Sequence, residues 1–445
     1  MNTERIHGGT LGHVETHGLH PNALSLSFGQ PKSSLLNLAF QIAKRIAFNR
    51  QHSFSRFIIR LSVAATALSV AAMILTLAFV NGFQQTVSKK VFSFWGHVRV
   101  QRYEPNKALV AEETPIIRND TIESTLHKEP SVERIQAFAT KSAVLEKNRE
   151  IEGVLLKGIG SNYDSTQLKP FLTEGRWINF NDSSYSKEIL VSQPTASLLN
   201  ISPGDTVTMY FISVNDGSRT YRKLQVAGIY KTGIEEYDKL FVLGDLRLIQ
   251  RVNGWNASQI GGYEVFLNDY HRIDSVSQRL SDALPVTWMS RSIREVYPNI
   301  FDWLNIQDVN RNVIFIVMAV VAIINLITCL LILILERTRM IGILKALGGT
   351  DGLIRRIFLY HASVITATGI ITGLVVGLGI CWLQQATGFI RLDETSYYVS
   401  TAPVLIIWWQ VLAICLATAL VCYLALILPT WLVKKISPVK AMGAR

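Results

Sequence analysis

The sequence predicts an α-helical membrane protein with four transmembrane helices and a large α+β extracytoplasmic domain between helices 1 and 2. Three observations predict it. Four long runs lack Asp, Glu, Lys and Arg; cations crowd beside those runs; and a long neutral segment between the first two carries strand and helix patterns. Apolar residues make up 49% of the chain against 17% charged, and the four runs explain that balance.

Residues 1–34 are rich in Gly, Ser and His, including His7, His13, His17 and His20. They read as a disordered extension rather than a metal-binding tail. They contain no apolar core of a signal peptide, so the first span is expected to direct insertion. "LLNLAFQIAKRIAF" (35–48) sets Leu35, Leu38, Ile42 and Ile46 on one helical face, with Lys44 and Arg45 off it. Residues 35–56 are therefore expected as a cytosolic amphipathic helix on the inner leaflet. The first span is placed at 57–82, because each charge-free run exceeds the roughly 20 residues that cross a bilayer core.

The outer domain, 83–311, is entered through "FQQTVSKKVFSFW" (83–95) and left through "YPNIFDWLNIQDVNRN" (297–312). Both junctions have helical apolar spacing and little Gly, so they read as stalks that continue the membrane helices. Between them, 188–192, 205–212, 223–230 and 262–269 have the β-branched and aromatic content of strands. Residues 193–202, 244–253 and 271–284 read as helices, and Pro203-Gly204-Asp205 as a turn.

The second span, 312–335, is rich in Leu, Ile, Val and Phe, each worth about −0.3 to −0.6 kcal/mol near a membrane centre. A cytosolic segment at 336–356, a third span at 357–384, an extracytoplasmic loop at 385–402, a fourth span at 403–433 and a cytosolic tail at 434–445 complete the order. Gly369, Gly373, Gly377 and Gly379 in the third span permit close helix approach. Cys329, Cys381, Cys415 and Cys422 all fall in spans and read as small packing residues, so the outer domain must fold on its core alone.

The formal charge of +11 does not mark a nucleic-acid binder. From Asn81 to Arg311, Lys plus Arg number 27 and Asp plus Glu number 27, so the whole excess flanks the spans. A nucleic-acid domain would gather its cations on a folded face. Instead, Lys44, Arg45, Arg50, Arg56 and Arg60 precede span one, while Arg337, Arg339, Lys345, Arg355 and Arg356 lie between spans two and three. Lys434, Lys435, Lys440 and Arg445 follow span four. The positive-inside rule then sets both termini in the cytosol and the 83–311 domain outside.

"ERTRMIGILKALGG" (336–349) interrupts the apolar runs with cations on a short helical pattern. Gly348 suits a left-handed C-terminal cap, and Thr350 or Asp351 a cap for the next helix. Spacing alone leaves two readings open: a tight loop anchored by snorkelling arginines, or a docking helix whose apolar residues enter a cleft on a soluble partner.

The longer run "ERTRMIGILKALGGTDGLIRRIFLYHA" (336–362) closely resembles the cytosolic segment of the FtsX/MacB permease superfamily of ABC transporters. The resemblance extends from about Leu35 to the end. "KEILVSQPTASLLNISPGDTV" (187–207) resembles the family's strand–helix–Gly-Asp–strand element, and "ISPVKAMGAR" (436–445) its closing Pro-x-x-Ala segment. Residues 303–349 are most similar to the lipoprotein-releasing (Lol) permeases, LolC and LolE. The resemblance implies a MacB-like periplasmic core domain and a coupling helix that touches an ATPase. It thereby assigns ATPase coupling to Glu336, Arg337, Arg339, Met340, Ile341, Ile343, Leu344, Lys345, Leu347 and Gly348. Met340 stands where many members carry glutamate, so no ion pair is carried over there.

No G-x-x-x-x-G-K-[ST] loop is present, so ATP is expected on a separate subunit, with no cofactor or metal on this chain. No G-x-S-x-G or H-E-x-x-H occurs either, and an enzyme is not expected. The resemblance implies a bacterial inner-membrane, multi-pass permease partnered by a cytosolic ABC ATPase dimer and a second permease copy or paralogue. Membrane lipid, lipoprotein cargo and a periplasmic carrier complete the expected partners, with no nucleic acid. Phe79, Phe83, Ile300, Trp303 and Leu304 are the substrate-cavity candidates, being apolar where stalks meet membrane; packing between stalks explains them equally well. The alternatives are mechanotransmission to an efflux adaptor, or activation of a cell-wall hydrolase as in FtsX, whose outer domain is usually much smaller.

Overall fold

The computed structural model describes residues 53–105, 110–180, 184–212 and 217–430. The expected extension at 1–34, all but the end of the amphipathic helix at 35–56, and the tail at 434–445 lie outside the described residues. Among those described, four helices are long and apolar enough to cross a membrane.

Helix α1 (Ser53–Trp95) is one unbroken rod of 43 residues. At 1.5 Å per residue it is about 64 Å long, twice the roughly 30 Å of a hydrocarbon core. Span and stalk are thus a single element. It stops where Gly96 takes φ +68° and donates its N–H to the Phe92 carbonyl at 2.8 Å, a left-handed cap that suits glycine.

The globular domain follows. Its strands are β1 (Val98–Arg102), β2 (Ile116–Ile117), β3 (Val132–Lys147), β4 (Glu150–Ile159), β5 (Leu172–Gly175) and β6 (Glu188–Ser192), then β7 (Thr206–Ile212), β8 (Arg219–Tyr230), β9 (Phe241–Asp245), β10 (Gln259–Ile260), β11 (Gly262–Leu267) and β12 (Trp288–Ser292). Ten of them form one mixed sheet in the order β12-β1-β11-β3-β4-β9-β6-β8-β5, with β7 pairing both β3 and β8; β2 and β10 pair separately. Helices α2 (Asp120–Lys128), α3 (Gln193–Leu198), α4 (Leu246–Asn253) and α5 (Ile273–Ala283) bury their apolar faces against this framework.

The four strands expected from composition correspond to β6, β7, β8 and β11, with β8 beginning four residues early. The three expected helices correspond to α3, α4 and α5, with α3 ending four residues before the expected 202. The longest hairpin, β3–β4, carries no such signal. Its tip places Asn148 and Arg149 at φ 53° and 74°, a left-handed pair that hairpin turns usually give to Asn-Gly. The charged Lys141, Glu146 and Lys147 also break the apolar alternation of β3.

β1 lies between β11 and β12, with Val98 opposite both Val265 and Ser292. The strand that leaves the first stalk is therefore hydrogen-bonded to the strand that leads into the second. That second rod, α6 (Pro298–Glu336), is also unbroken; it starts with Pro at its first position, where a missing N–H costs nothing. It is followed by α7 (Thr338–Ala346), α8 (Asp351–Thr387), α9 (Glu394–Tyr397) and α10 (Trp408–Thr430).

In the bundle, α8 lies against α1 through its glycines. A Cβ on Gly373 would sit 2.5 Å from the Ala67 carbonyl oxygen, and one on Gly369 2.8 Å from Thr66 Cβ. A Cβ on Gly379 would meet open space. Gly373→Ala should therefore cost about 1–3 kcal/mol by forcing the helices apart. Gly379→Ala should be neutral or stabilise by up to about 1 kcal/mol. Thermal unfolding of the detergent-solubilised protein distinguishes the two.

Candidate functional site: an end helix and the lever above it

Helix α7 is held to the bundle on one side only. Ile341 is fully buried with Leu330, Ile334, Ile354 and Phe358, and the half-buried Met340 and Leu344 pack against the same cluster. Ile343 is exposed and Leu347 is 80% exposed. With Arg339, also exposed, they form one outward stripe at helical spacing; Glu336, exposed too, ends α6. Arg337 is half-buried. Lys345 Nζ meets Asp351 Oδ1 at 2.9 Å, tying α7 to the start of α8.

The turn between them has the expected chemistry. Gly348 adopts φ +87°, and the Gly349 N–H donates to the Leu344 carbonyl at 2.8 Å. Thr350, rather than Asp351, caps α8 by accepting from the Leu353 N–H.

At the far end, the stalks meet the domain in a buried ionic knot. Lys157 and Glu264 are completely buried, with Lys157 Nζ 2.8 Å from Glu264 Oε1. Arg99 donates to the same oxygen at 3.0 Å and lies 3.7 Å from Glu113. Tyr163 Oη donates to Glu264 Oε2 at 3.2 Å. Lys157 also donates to the Phe94 carbonyl, one of the orphan acceptors in the last turn of α1. Burial pulls Lys157 down to about 8, opposed by Glu264, and pushes the Glu113 carboxyl up, opposed by Arg99.

Aromatic rings complete the joint. The Arg99 guanidinium stacks 3.1 Å from the Trp95 ring centroid and 4.1 Å from that of Phe138. Trp95 meets Tyr297, the residue before α6, edge-on at 5.5 Å. Phe92 and Phe301 stack between the stalks at 6.0 Å.

Two protein families match the chain. The MacB-like periplasmic core domain family matches residues 61–283, half of the chain, and the FtsX-like permease C-terminal family matches residues 312–438. The chain belongs to the FtsX-like permeases with a MacB-like periplasmic core domain. The lipoprotein-releasing system transmembrane protein LolC of Xylella fastidiosa (strain 9a5c) is 21% identical to it over 429 residues, covering 93% of this chain and 98% of that protein. LolE of Haemophilus influenzae (strain ATCC 51907 / DSM 11121 / KW20 / Rd) is 23% identical over 431 residues, covering 92% and 100%. The extracellular domain of the ABC-type transporter YknZ from Gram-positive bacteria overlaps 44% of this chain and 99% of its own, at 18% identity and a TM-score of 0.30.

In this permease four of the five cavity candidates, Phe83, Ile300, Trp303 and Leu304, belong to or pack against the domain's core cluster, and Phe79 does not. Ile300 and Leu304 are buried in the domain's core cluster. Phe79, Phe83 and Trp303 are half-buried, with Phe83 and Trp303 edge-to-face at 5.9 Å. Among the described residues, no group of three His, Cys, Asp or Glu is placed to hold a metal ion.

The ionic knot was not among the residues that sequence reasoning selects. Its signal is a lone charge inside each of three β-patterned apolar runs: Arg99 in "HVRV", Lys157 in "GVLLKGIG" and Glu264 in "GYEVFL".

His97, in the same joint, accepts the Leu267 N–H at Nδ1 over 3.0 Å and lies 4.3 Å from the Phe92 ring. Burial, reinforced by Arg134, lowers its pKa from 6.5 to about 4. Between those values the unfolded chain binds the proton and the folded one does not. Stability should therefore fall as pH drops from about 6.5 towards 4, by up to about 3 kcal/mol from this group. His97→Asn, which retains an acceptor but does not titrate, should flatten that part of a Tm-versus-pH curve.

Proposed function

We propose that this permease releases acylated lipoproteins from the membrane it spans to a soluble carrier, driven by ATP that a separate cytosolic ATPase pair binds and hydrolyses. The observation that carries the reading is mechanical: α6 runs without a break from the domain joint to Glu336, with α7 mounted on its inner end. At about 58 Å this rod outreaches the hydrocarbon core, so displacement of α7 is transmitted to the outer domain. The cations around α7 support a cytosolic position for it under the positive-inside rule. The relatives named for lipoprotein release, matched along nearly their whole length, support the choice of cargo.

On this reading the ATPase grips the outward stripe of α7, and Ile343 and Leu347 are its anchors, whereas Ile341 holds α7 to the bundle. Leu347→Asp or Ile343→Asp should cut lipoprotein-dependent ATP hydrolysis in proteoliposomes by at least about tenfold, the scale of a lost apolar anchor, with insertion unchanged. Unaltered coupling in both variants would remove the docking role. In cells, depletion should leave lipoproteins in the inner membrane; normal sorting would remove the cargo assignment.

The same reading calls for a second permease copy. On α6 the exposed residues Ile306, Val309, Val313, Ile316 and Val320 recur at spacings of three and four, the pattern of a two-helix seam. Ile306 and Val309 lie among Asn305, Gln307, Asp308 and Asn310, where water rather than lipid drives their burial. A disulfide between two copies of Val309→Cys, formed in membranes, supports a homodimer; its absence alongside a cross-link to a co-purified paralogue supports a heterodimer.

A further inference from the structure

The segment between α8 and α10 is a built element rather than a plain connection. Leu392 and Ala402 donate their N–H groups to Ser400 and Ile390, and Arg391 bridges Thr401, giving a small hairpin with α9 at its tip. The buried Gln384 side chain binds its base, donating to the carbonyls of Ile390 and Ala402 and accepting the Ile390 N–H. Asp393 caps α9.

The hairpin is anchored below to the bundle. The Leu405 N–H donates to the Ala78 carbonyl at 3.0 Å, and Asn81 Nδ2 to Gln410 Oε1 at 2.7 Å. A Cβ on Gly82 would meet the Pro403 carbonyl oxygen at 2.3 Å, so the chain passes directly across α1.

Above, its tip reaches both stalks and the globular domain. Glu394 Oε2 pairs with Lys231, just beyond β8, while Oε1 lies 4.0 Å from Lys90 of α1. Lys90 Nζ donates to the Tyr398 carbonyl at 2.8 Å, and Tyr398 is held at φ +62°, a conformation that a non-glycine residue keeps only when its surroundings enforce it. Tyr397 and Tyr398 meet Trp303 of α6 at 6.5 and 5.9 Å. Val399 is buried in the domain's core cluster. Gly233, at φ +76°, leaves room for the ion pair: a Cβ there would meet Glu394 Oε1 at 2.4 Å and Lys90 Nζ at 2.8 Å.

Burial separates the ion pair at the hairpin's tip from the knot at Lys157. The side chains of Glu394 and Lys231 are 24% and 39% exposed, whereas those of Lys157 and Glu264 are 0%. Water can replace the first pair and cannot reach the second. We propose that the hairpin is a releasable strap: Glu394, clamping Lys90 and Lys231 together, seats the outer domain over its own third and fourth spans, and the domain leaves that seat only when the clamp opens. The strap gives the lever motion of the proposed function a resting position, and so rests on that reading for its purpose.

The test needs neither nucleotide nor cargo, so its failure would leave the transport reading untouched. Lysine acylation by an N-hydroxysuccinimide ester, followed by peptide mass spectrometry on the full-length protein in nanodiscs, reports access to each ammonium. In the unaltered protein Lys90 should react slowly, and Lys157 more slowly still. Glu394→Gln should raise the Lys90 rate about tenfold. Lys231→Met should raise it as well, although Glu394 still stands beside Lys90 in that variant, because the strap has lost its hold on the domain. Lys157 should stay unchanged in both. An unchanged Lys90 rate in Lys231→Met, or a parallel rise at Lys157, would overturn the strap.

Discussion

The end of α1, one of the two rods joined to the outer domain, is fixed by one completely buried ammonium. Lys157 reaches from β4 to the last turn of the helix while pairing with Glu264 on β11, which in turn holds Arg99 on β1. Three strands and a helix terminus thus share one cluster. Burying such charges is expensive, and a well-packed apolar replacement is often as stable. The cluster's distinguishing property is directional: an ammonium aimed at a helix carbonyl fixes angle as well as distance, which methyl packing does not.

The inner end follows the opposite design. α7 spends Ile341, Met340 and Leu344 on its own bundle and leaves Ile343 and Leu347 to solvent. A helix anchored through one face moves with its neighbours α6 and α8 while its other face stays exposed. Between the two ends α1 and α6 have no break, so little of a displacement is absorbed on the way. The glycine-lined contact of α8 on α1 adds stiffness, since backbones that close cannot slide past one another without clashing.

The membrane plan was readable because it rests on long, charge-free runs, the strongest signal a chain can carry. The stalks were readable too, since apolar spacing persists past each span and Gly does not intervene. β3 and β4 were not, because their hairpin turns on Asn148-Arg149 without a glycine and β3 interleaves charges with apolar residues. The knot escaped for a related reason: a single Lys or Glu within a strand pattern reads as a solvated face until the fold shows which strands lie beside it. In α7 the residues were legible but their division was not, because apolar members cover most of the circumference and only the neighbouring helices decide which face is inward.

The two rods enter the sheet side by side and at the same end. β1 begins at the first and β12 finishes at the second, and the pair Val98–Ser292 stands at the rod end of their ladder. Spreading the rods would load those hydrogen bonds one at a time, as a zipper is opened from its tab, and Trp95 against Tyr297 sits where the tab would be. Swinging both rods together loads none of them. The shared ladder therefore resists having the two rods prised apart and lets them swing together as a matched pair of handles.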